Sequence, residues 1–227
     1  MKRLTKQARG GFTRRDLVVV ILVLVLLGAM LVPAVQKARQ KSWRIRCLNN
    51  LKEIGTADRL STGDLLPKSN AGPYCWKYYA GMTNAPSLDP KLLVCPSDER
   101  RPATDLKTDF KDNTHLSYFV GVDASDVNPQ DIVGGDRNLG PGTVPDPNYG
   151  YSPTNGQGND VVLFTNTPVS WSLKMHSHGN SAGSGNILLG DGSWQQMSSV
   201  SFSKNWLINA QTGTNFPGTN GIRLVFP

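Results

Sequence analysis

Residues 10–33 read GGFTRRDLVVVILVLVLLGAMLVP, a long apolar segment that follows a short basic one. The twenty residues at 17–36 carry no charge, and fourteen of them are Leu, Ile or Val. As an α-helix, a segment of that length spans about 30 Å, which is the thickness of the hydrocarbon core of a bilayer. The sequence therefore predicts a membrane-crossing helix, with Asp16 at its edge, where a charge costs little.

The net charge of the chain is concentrated at its start. The 227 residues have a formal net charge of +7, and four basic residues lie before position 11, namely Lys2, Arg3, Lys6 and Arg9. Subtracting these four from +7 leaves +3 for the rest of the chain. Because most of the excess charge belongs to a short leader, the composition does not indicate nucleic-acid binding, and no nucleic-acid partner is expected.

Two common explanations of the apolar segment leave some of its features unexplained. A secretory signal peptide has a shorter apolar core of about 7–15 residues followed by a small-residue cleavage site. Val32-Pro33-Ala34 offers such a site, and cleavage there would release a secreted enzyme or other secreted protein. A plain single-pass anchor accounts for the length of the segment, but it gives no reason for the glycine pair or for Asp16.

The residues Gly11-Phe12-Thr13 and Asp16-Leu17, followed by the apolar run, resemble the N-terminus of type IV prepilins and type II secretion pseudopilins. The resemblance implies a leader at residues 1–11 that a prepilin peptidase removes by cutting between Gly11 and Phe12. It also implies N-methylation of Phe12 and a filament-core helix at 12–36. Pro33 falls where many members have a helix-loosening proline, and it predicts a local kink.

The same resemblance implies a role in filament assembly for Asp16. Members of the family usually have glutamate at this place, and its carboxylate neutralises the N-terminal amine of a neighbouring subunit. Without that anion, the amine would be an uncompensated charge in the filament core. A carboxylate also suits the positive end of the helix dipole. Arg14-Arg15 depart from the family pattern, which has apolar residues there.

The helix is predicted to continue beyond the membrane. Residues 37–62 carry apolar side chains at three- and four-residue spacing, at Trp43, Cys47, Leu51 and Ile54, with Ile45 and Leu48 beside them. This pattern predicts an amphipathic second half of one helix of about 45 residues. Residues 63–227, rich in Gly, Pro, Asn and Ser, form the predicted globular head. The predicted fold class is α+β, a long N-terminal helix packed on a small antiparallel sheet, as in pilins.

The head is predicted to contain several short strands. Apolar bursts predict strands at 92–95, 116–120, 161–164 and 222–226, and a hairpin at 186–197 that turns at Gly190-Asp191-Gly192. Eleven Gly or Pro residues at 134–160 predict a long surface loop. CLNNLKEIGTADRL at 47–60, CPSD at 95–98, and His178, Asn186 and Asp191-Gly192 resemble the pilin-like proteins of planctomycetes and verrucomicrobia.

Three cysteines follow the apolar segment, at positions 47, 75 and 95. Three cysteines allow one disulfide and leave one thiol free, and a disulfide between Cys47 and Cys95 is favoured slightly over one between Cys75 and Cys95. Either pairing suits an oxidising compartment. The cysteines lack the CxxC-like spacing that is typical of zinc sites, so the sequence alone argues against zinc.

Two other groups of residues offer metal-ligand chemistry. His176 and His178 lie two residues apart without an evident third ligand, so an exposed polar loop is the competing interpretation. An oxygen-rich run suits calcium, which prefers hard oxygen ligands, and consists of Asp123, Asp126, Asn128 and Asp131. Its spacing does not match an EF-hand, and turn formation is the alternative role for these residues. No other cofactor is expected.

No catalytic motif is present in the sequence: a GxSxG elbow, a phosphate-binding loop and an HExxH helix are all missing. The sequence therefore predicts a structural protein with no catalytic residues. The predicted function is a subunit of a type II secretion pseudopilus or a type IV pilus-like filament. The alternative is a single-pass envelope binding protein that does not polymerise.

The filament prediction also specifies a location and a set of partners. The chain would first span the bacterial inner membrane once with its head in the periplasm, and would then be extracted into a periplasmic or surface filament. The expected partners are other pilin subunits, prepilin peptidase, inner-membrane lipid and a secretion or assembly platform.

Overall fold

The computed structural model describes residues 11–62, 72, 74–82, 88–124, 128–164, 166–177, 182–203 and 221–227. The chain divides into two units, one that ends at Lys41 and one that comprises Ser42–Pro227. The fold class is α+β, as predicted: one long N-terminal helix, a six-stranded antiparallel sheet and a small two-stranded sheet.

Helix α1 comprises Arg14–Thr62, a length of 49 residues. Its start is fixed by Thr13 and Asp16, because the Thr13 backbone N–H donates to Asp16 Oδ2 and the Asp16 N–H donates to Thr13 Oγ1. This reciprocal pair is a capping box, which satisfies two backbone donors that the first turn leaves unpaired. The helix continues through Pro33 without interruption, so the kink predicted there is not accompanied by a break in the helix.

The second half of α1 buries the apolar stripe that the sequence predicts. The stripe consists of the buried side chains of Cys47, Leu48, Leu51, Ile54 and Ala57. Trp43, predicted in the stripe, is half-buried, and Ile45, predicted beside it, is 49% exposed and lies on another face. The stripe contributes to a core that also contains residues of α2, Cys75–Ala80, and of the sheet.

Eight strands are present in the described residues. They are β1 Tyr118–Gly121, β2 Ile132–Asp136, β3 Leu139–Pro141, β4 Asn159–Phe164, β5 Val169–Trp171, β6 Ser184–Leu189, β7 Trp194–Ser198 and β8 Gly221–Phe226. The larger sheet has the order β4-β8-β1-β2-β6-β7 with antiparallel neighbours, and β3 pairs with β5 in the smaller one. A short helix, α3 Ser199–Ser201, follows β7, and 3-10 turns lie at Pro90–Leu93, Asn113–His115 and Met175–Ser177.

The central strands of the larger sheet are buried on both faces. Tyr118, Val120 and Leu188 belong to the core that contains the α1 stripe. Phe119 and Ile187, which alternate with them along β1 and β6, belong to a second core with Trp171 of the smaller sheet. Because successive side chains in a strand point to opposite faces, a sheet with two covered faces has continuously apolar strands.

Several strand predictions are confirmed, and two predictions are wrong. The strands at 116–120, 161–164 and 222–226 and the hairpin turning at Gly190–Gly192 correspond to β1, β4, β8 and β6–β7. Residues 92–95 are not a strand, because the chain makes a 3-10 turn that Pro90 begins and the Asp89 side chain caps. The predicted loop at 134–160 contains the end of β2, all of β3 and the start of β4.

Glycine in β2 explains why that strand was not predicted. A Cβ on Gly135 would lie 2.7 Å from both the Asn186 carbonyl oxygen and the Phe119 ring. The residue must therefore be glycine for a packing reason, because the neighbouring strand and the aromatic ring leave no room for a side chain. In the sequence the same glycine looks like a turn signal.

Candidate metal centre

Four ionisable or metal-ligating side chains converge inside the Ser42–Pro227 unit. Cys47 comes from α1, Cys95 from the segment after the first 3-10 turn, Asp136 from the end of β2, and His176 from the turn before β6. One ligand atom from each lies within 4.8 Å of the other three, and all four residues are buried. We refer to these four residues as the buried cluster.

Asp136 lies at the centre of the hydrogen bonds in the buried cluster. Its Oδ1 accepts a bond from Cys47 Sγ at 3.0 Å. Its Oδ2 accepts the backbone N–H of Asn186 at 2.8 Å and lies 3.3 Å from His176 Nε2. The carboxylate has no exposed surface. A buried carboxylate needs compensating partners, and the imidazole of His176 is the basic group in contact with it.

Cys95 and His176 form the second half of the buried cluster. Cys95 Sγ lies 3.4 Å from His176 Nε2, and the backbone N–H of Ser97 donates to the same sulfur at 3.4 Å. Burial alone would raise the pKa of the Cys95 thiol, but its bonds with Cys47 and His176 lower that pKa below its usual value. Burial likewise opposes protonation of His176, but the adjacent Asp136 raises the pKa of the imidazole to about 10. The neighbours of Cys95 thus favour its thiolate form, whereas burial raises the pKa of the Cys47 thiol well above its usual value, and Asp136 favours the protonated imidazole.

Interactions outside the buried cluster hold two of its members in place. Arg137 follows Asp136, and its guanidinium binds both carboxylate oxygens of Asp98 at 2.7 and 2.8 Å. The backbone N–H of Asp98 in turn donates to the Cys95 carbonyl oxygen at 2.9 Å. This buried ion pair therefore ties the Cys95 segment to the end of β2.

The position of His176 is fixed by its main chain. Arg44, one turn before Cys47 on α1, donates to the His176 carbonyl oxygen, and Ser184 Oγ donates to the same oxygen. The preceding residue, Met175, has a positive φ of 58°. Such a conformation is uncommon for a residue other than glycine. These restraints direct the imidazole into the buried cluster, while His176 Nδ1 has no hydrogen-bond partner among the described residues.

The arrangement does not resemble a catalytic cysteine site. In a Cys-His-Asp triad, the acid binds one ring nitrogen of the histidine and the nucleophile binds the other. Here Asp136 and Cys95 both approach Nε2. Cys47 and Cys95 have no exposed surface, so no substrate in solvent reaches either sulfur. The geometry instead suits four donors arranged around one central point.

The predicted disulfide partners are neighbours in the structure. Cys47 and Cys95 are both members of the buried cluster, but each is a free thiol. Cys75 is also a free buried thiol outside the cluster, with its sulfur against the carbonyl oxygens of Tyr118 and Val225. The disulfide between Cys47 and Cys95 stays a prediction for the oxidised protein.

The predicted calcium ligands are only partly described. Asp123 Oδ2 accepts the backbone N–H of Arg223, and Asn128 Nδ2 donates to Asp131 Oδ2 at 3.4 Å. Asp126 lies outside the described residues, as does His178, the second imidazole of the predicted histidine pair. Calcium binding by Asp123, Asp126, Asn128 and Asp131 therefore stays a prediction.

The residues of the predicted processing site precede the residues of the buried cluster in the sequence and are not part of it. Gly11 and Phe12 are exposed and precede the first helical residue, Arg14. Asp16 is in the first turn of α1, and Pro33 is inside that helix. Among the described helices, α1 is long and apolar enough to cross a membrane, and its most apolar window has no buried residue.

The buried cluster is not evident in the sequence, which predicts a disulfide for Cys47 and Cys95, a local pair for His176 and no role for Asp136. The four donors come from four separate segments, so no local spacing indicates a site.

A comparison of the chain with protein-family models, with curated proteins and with solved structures finds no match.

Proposed function

We propose that this chain is a pilin-like subunit that is processed by a prepilin peptidase and assembles into a filament through α1. The observation that carries the proposal is an apolar helix surface that the described residues leave uncovered and that directly follows Gly11-Phe12 and Asp16. The filament would be a type II secretion pseudopilus or a type IV pilus-like fibre.

The exposure of α1 supports a partner outside the chain. Leu24 is 61% exposed and Met30 is 74% exposed, and the other large apolar side chains between positions 17 and 35 are comparably exposed. The fourteen Leu, Ile and Val residues of this segment favour insertion in a membrane by about 4–8 kcal/mol in total. An apolar surface of this size needs lipid or further copies of the same helix around it. A pilin subunit uses both in turn.

The surroundings of the Gly11–Phe12 bond suit proteolytic processing. Gly11, Phe12 and Thr13 are not helical, and the Phe12 side chain is 75% exposed. Peptidases act on accessible, non-helical backbone, and such a segment lies directly before the first turn of α1. Asp16 is exposed in the same turn, where the carboxylate can meet a group outside its own chain.

The mass of the N-terminal peptide tests the proposal. The protein is isolated from membranes of the cells that produce it naturally and is analysed by intact-mass and peptide mass spectrometry. We expect Phe12 as the first residue, carrying one added methyl group. An N-terminus at Met1 would support the non-polymerising anchor, and an N-terminus at Val35 would support secretion. Either result would overturn the proposal.

Gly11→Val provides a matched control for processing. A Cβ at Gly11 would meet no atom of the described residues within 4 Å, so these residues leave room for a side chain there. We expect the variant to be inserted and folded normally but to retain its leader. Normal removal of the leader from this variant would show that the cut does not depend on Gly11.

A further inference from the structure

The interatomic distances in the buried cluster are close to those around a metal ion. Zinc bonds of about 2.3 Å to sulfur and about 2.0–2.2 Å to nitrogen or oxygen place tetrahedral ligand atoms about 3.3–3.8 Å apart. The separations are 3.0 Å from Cys47 Sγ to Asp136 Oδ1, 3.3 Å from Asp136 Oδ2 to His176 Nε2, and 3.4 Å from His176 Nε2 to Cys95 Sγ. One ligand atom from each residue lies within 4.8 Å of the other three, so small adjustments of these side chains would place all four around one ion.

The hydrogen bonds around the buried cluster suit anionic ligands. Tyr118 Oη lies 3.4 Å from Cys47 Sγ, the Ser97 N–H donates to Cys95 Sγ, and the Asn186 N–H donates to Asp136 Oδ2. Each anionic ligand thus has a polar neighbour outside the cluster that can donate a hydrogen bond to it. Outer donors of this kind orient the ligands of metal sites and stabilise their deprotonated forms.

A disulfide between Cys47 and Cys95 would leave the other two members of the buried cluster, Asp136 and His176, without a bonding role. It would neutralise both sulfurs and leave the carboxylate and imidazole as a buried ion pair in contact with it. A buried ion pair stabilises a protein little unless its geometry and hydrogen bonds are favourable. In addition, the one hydrogen on His176 Nε2 cannot point well at both Asp136 and Cys95, whereas a metal ion between these groups satisfies both.

We propose that the buried cluster binds one zinc ion through its two sulfurs, one Asp136 oxygen and His176 Nε2. Two thiolates and one carboxylate reduce the charge of a divalent ion to a net −1, which the donors from Tyr118, Ser97 and Asn186 offset. Two sulfur ligands exclude calcium and magnesium, and a four-coordinate S₂NO set suits zinc. Because the donors are buried and fill four positions, the ion has a structural role. The site lies wholly within Ser42–Pro227 and does not depend on the proposed filament function.

Metal analysis of the full-length protein tests the proposal. The chain is purified in detergent with a thiol reductant and without chelator, and its zinc is measured by elemental mass spectrometry. We expect about one zinc per chain, as for a single four-ligand site. Replacement of zinc by Co²⁺ should give intense visible absorption from a tetrahedral centre together with near-ultraviolet sulfur-to-cobalt bands.

Two cysteine variants test whether zinc binding depends on the buried cluster or on any buried thiol. Cys95→Ser removes one proposed ligand, and we expect it to lose most of the zinc and the cobalt absorption. Cys75→Ser changes another fully buried thiol that lies outside the cluster, and we expect it to retain both. Tyr118→Phe keeps all four ligands and removes only the hydroxyl beside Cys47, so we expect zinc affinity to fall about tenfold.

Several outcomes would overturn the zinc site. One is wild-type protein that contains no zinc and takes up neither Zn²⁺ nor Co²⁺ when refolded with them under reducing conditions. Another is native protein in which peptide mapping finds Cys47 and Cys95 joined as a disulfide. Equal loss of zinc in Cys75→Ser and Cys95→Ser would also refute it. The refolding measurement uses only the wild-type chain, so the proposal stays testable if a variant fails to fold.

Discussion

Thr13 and Asp16 stabilise the start of α1 through two reciprocal hydrogen bonds, and this local role competes with the proposed assembly role of Asp16. The two roles depend on different properties of the side chain. Capping needs an oxygen that accepts a hydrogen bond, whereas pairing with the amine of another subunit needs a negative charge. Asp16→Asn keeps the acceptor and removes the charge.

We expect Asp16→Asn to be processed normally and to reduce the yield of sheared filaments severalfold. Thr13→Ala removes the other half of the capping box, and we expect it to assemble nearly as the wild type does. Filament yield is compared with the amount of processed subunit in the membrane fraction. If Thr13→Ala is as defective as Asp16→Asn, capping explains the phenotype and the charge-pairing role is wrong.

The ion pair between Asp98 and Arg137 lies inside the Ser42–Pro227 unit. Both side chains are almost fully buried, and the Arg137 guanidinium also lies over the Tyr149 ring. Breaking a buried pair leaves one charge without compensation, which costs about 3–5 kcal/mol. We therefore expect Asp98→Asn to lower the free energy of unfolding by that amount, measured by urea denaturation of the detergent-solubilised chain with tryptophan fluorescence.

The neighbouring acid is the control for this prediction. Glu99 forms an ion pair with Lys174, but its side chain is 67% exposed, and exposed pairs contribute about 0–1 kcal/mol. Glu99→Gln should therefore leave the unfolding curve nearly unchanged. Equal effects of the two variants would show that burial of the Asp98–Arg137 pair does not determine its contribution.

At the scale of elements, α1 combines two kinds of helix in one segment. The run at 17–36 is exposed and apolar on all sides, whereas the second half buries one stripe. Two leucines in the second half allow a comparison with identical chemistry: Leu51 is 1% exposed and Leu60 is 74% exposed. Leu51→Ala removes buried methyl groups and leaves a cavity, which costs about 2–5 kcal/mol.

We expect Leu51→Ala to lower the midpoint of urea unfolding strongly and Leu60→Ala to change it little. Both variants replace leucine with alanine and so change helix propensity in the same direction. The difference between their unfolding midpoints therefore reports packing and not helix formation. Comparable destabilisation by both variants would contradict the packing of the stripe against the core.

The sequence predicts an element correctly where the residues that determine it are neighbours in the chain, and it fails where they are distant. Helix α1 was predicted because its periodicity and apolar run are local properties. Strand β2 was missed because Gly135 is required by Phe119 and Asn186, which are distant in the sequence. Residues 92–95 were assigned to a strand because the apolar run concealed the effect of Asp89 and Pro90, which cap and begin a 3-10 turn.

The same limit applies to the whole molecule. The sequence predicted the fold class and brought Cys47 and Cys95 together as partners, but it could not add Asp136 and His176. Their approach depends on the pairing of β2 with β1 and β6 and on the contact of Arg44 with the His176 main chain. These contacts form only when the sheet packs with α1, so no local sequence motif predicts them.

A bound ion at the buried cluster would join four distant segments of the Ser42–Pro227 unit, so its removal should weaken the whole unit. At a free zinc concentration of 100 times the dissociation constant, binding stabilises the folded state by about 2.7 kcal/mol. For a domain of this size, that corresponds to about 5–10 °C in Tm. We expect a chelator to lower the Tm of the wild type and of Cys75→Ser by such an amount, as measured by intrinsic fluorescence. Cys95→Ser should melt at the same temperature with and without chelator, because it has no ion to lose. If the chelator leaves the Tm of zinc-loaded wild type unchanged, the ion does not hold these segments together.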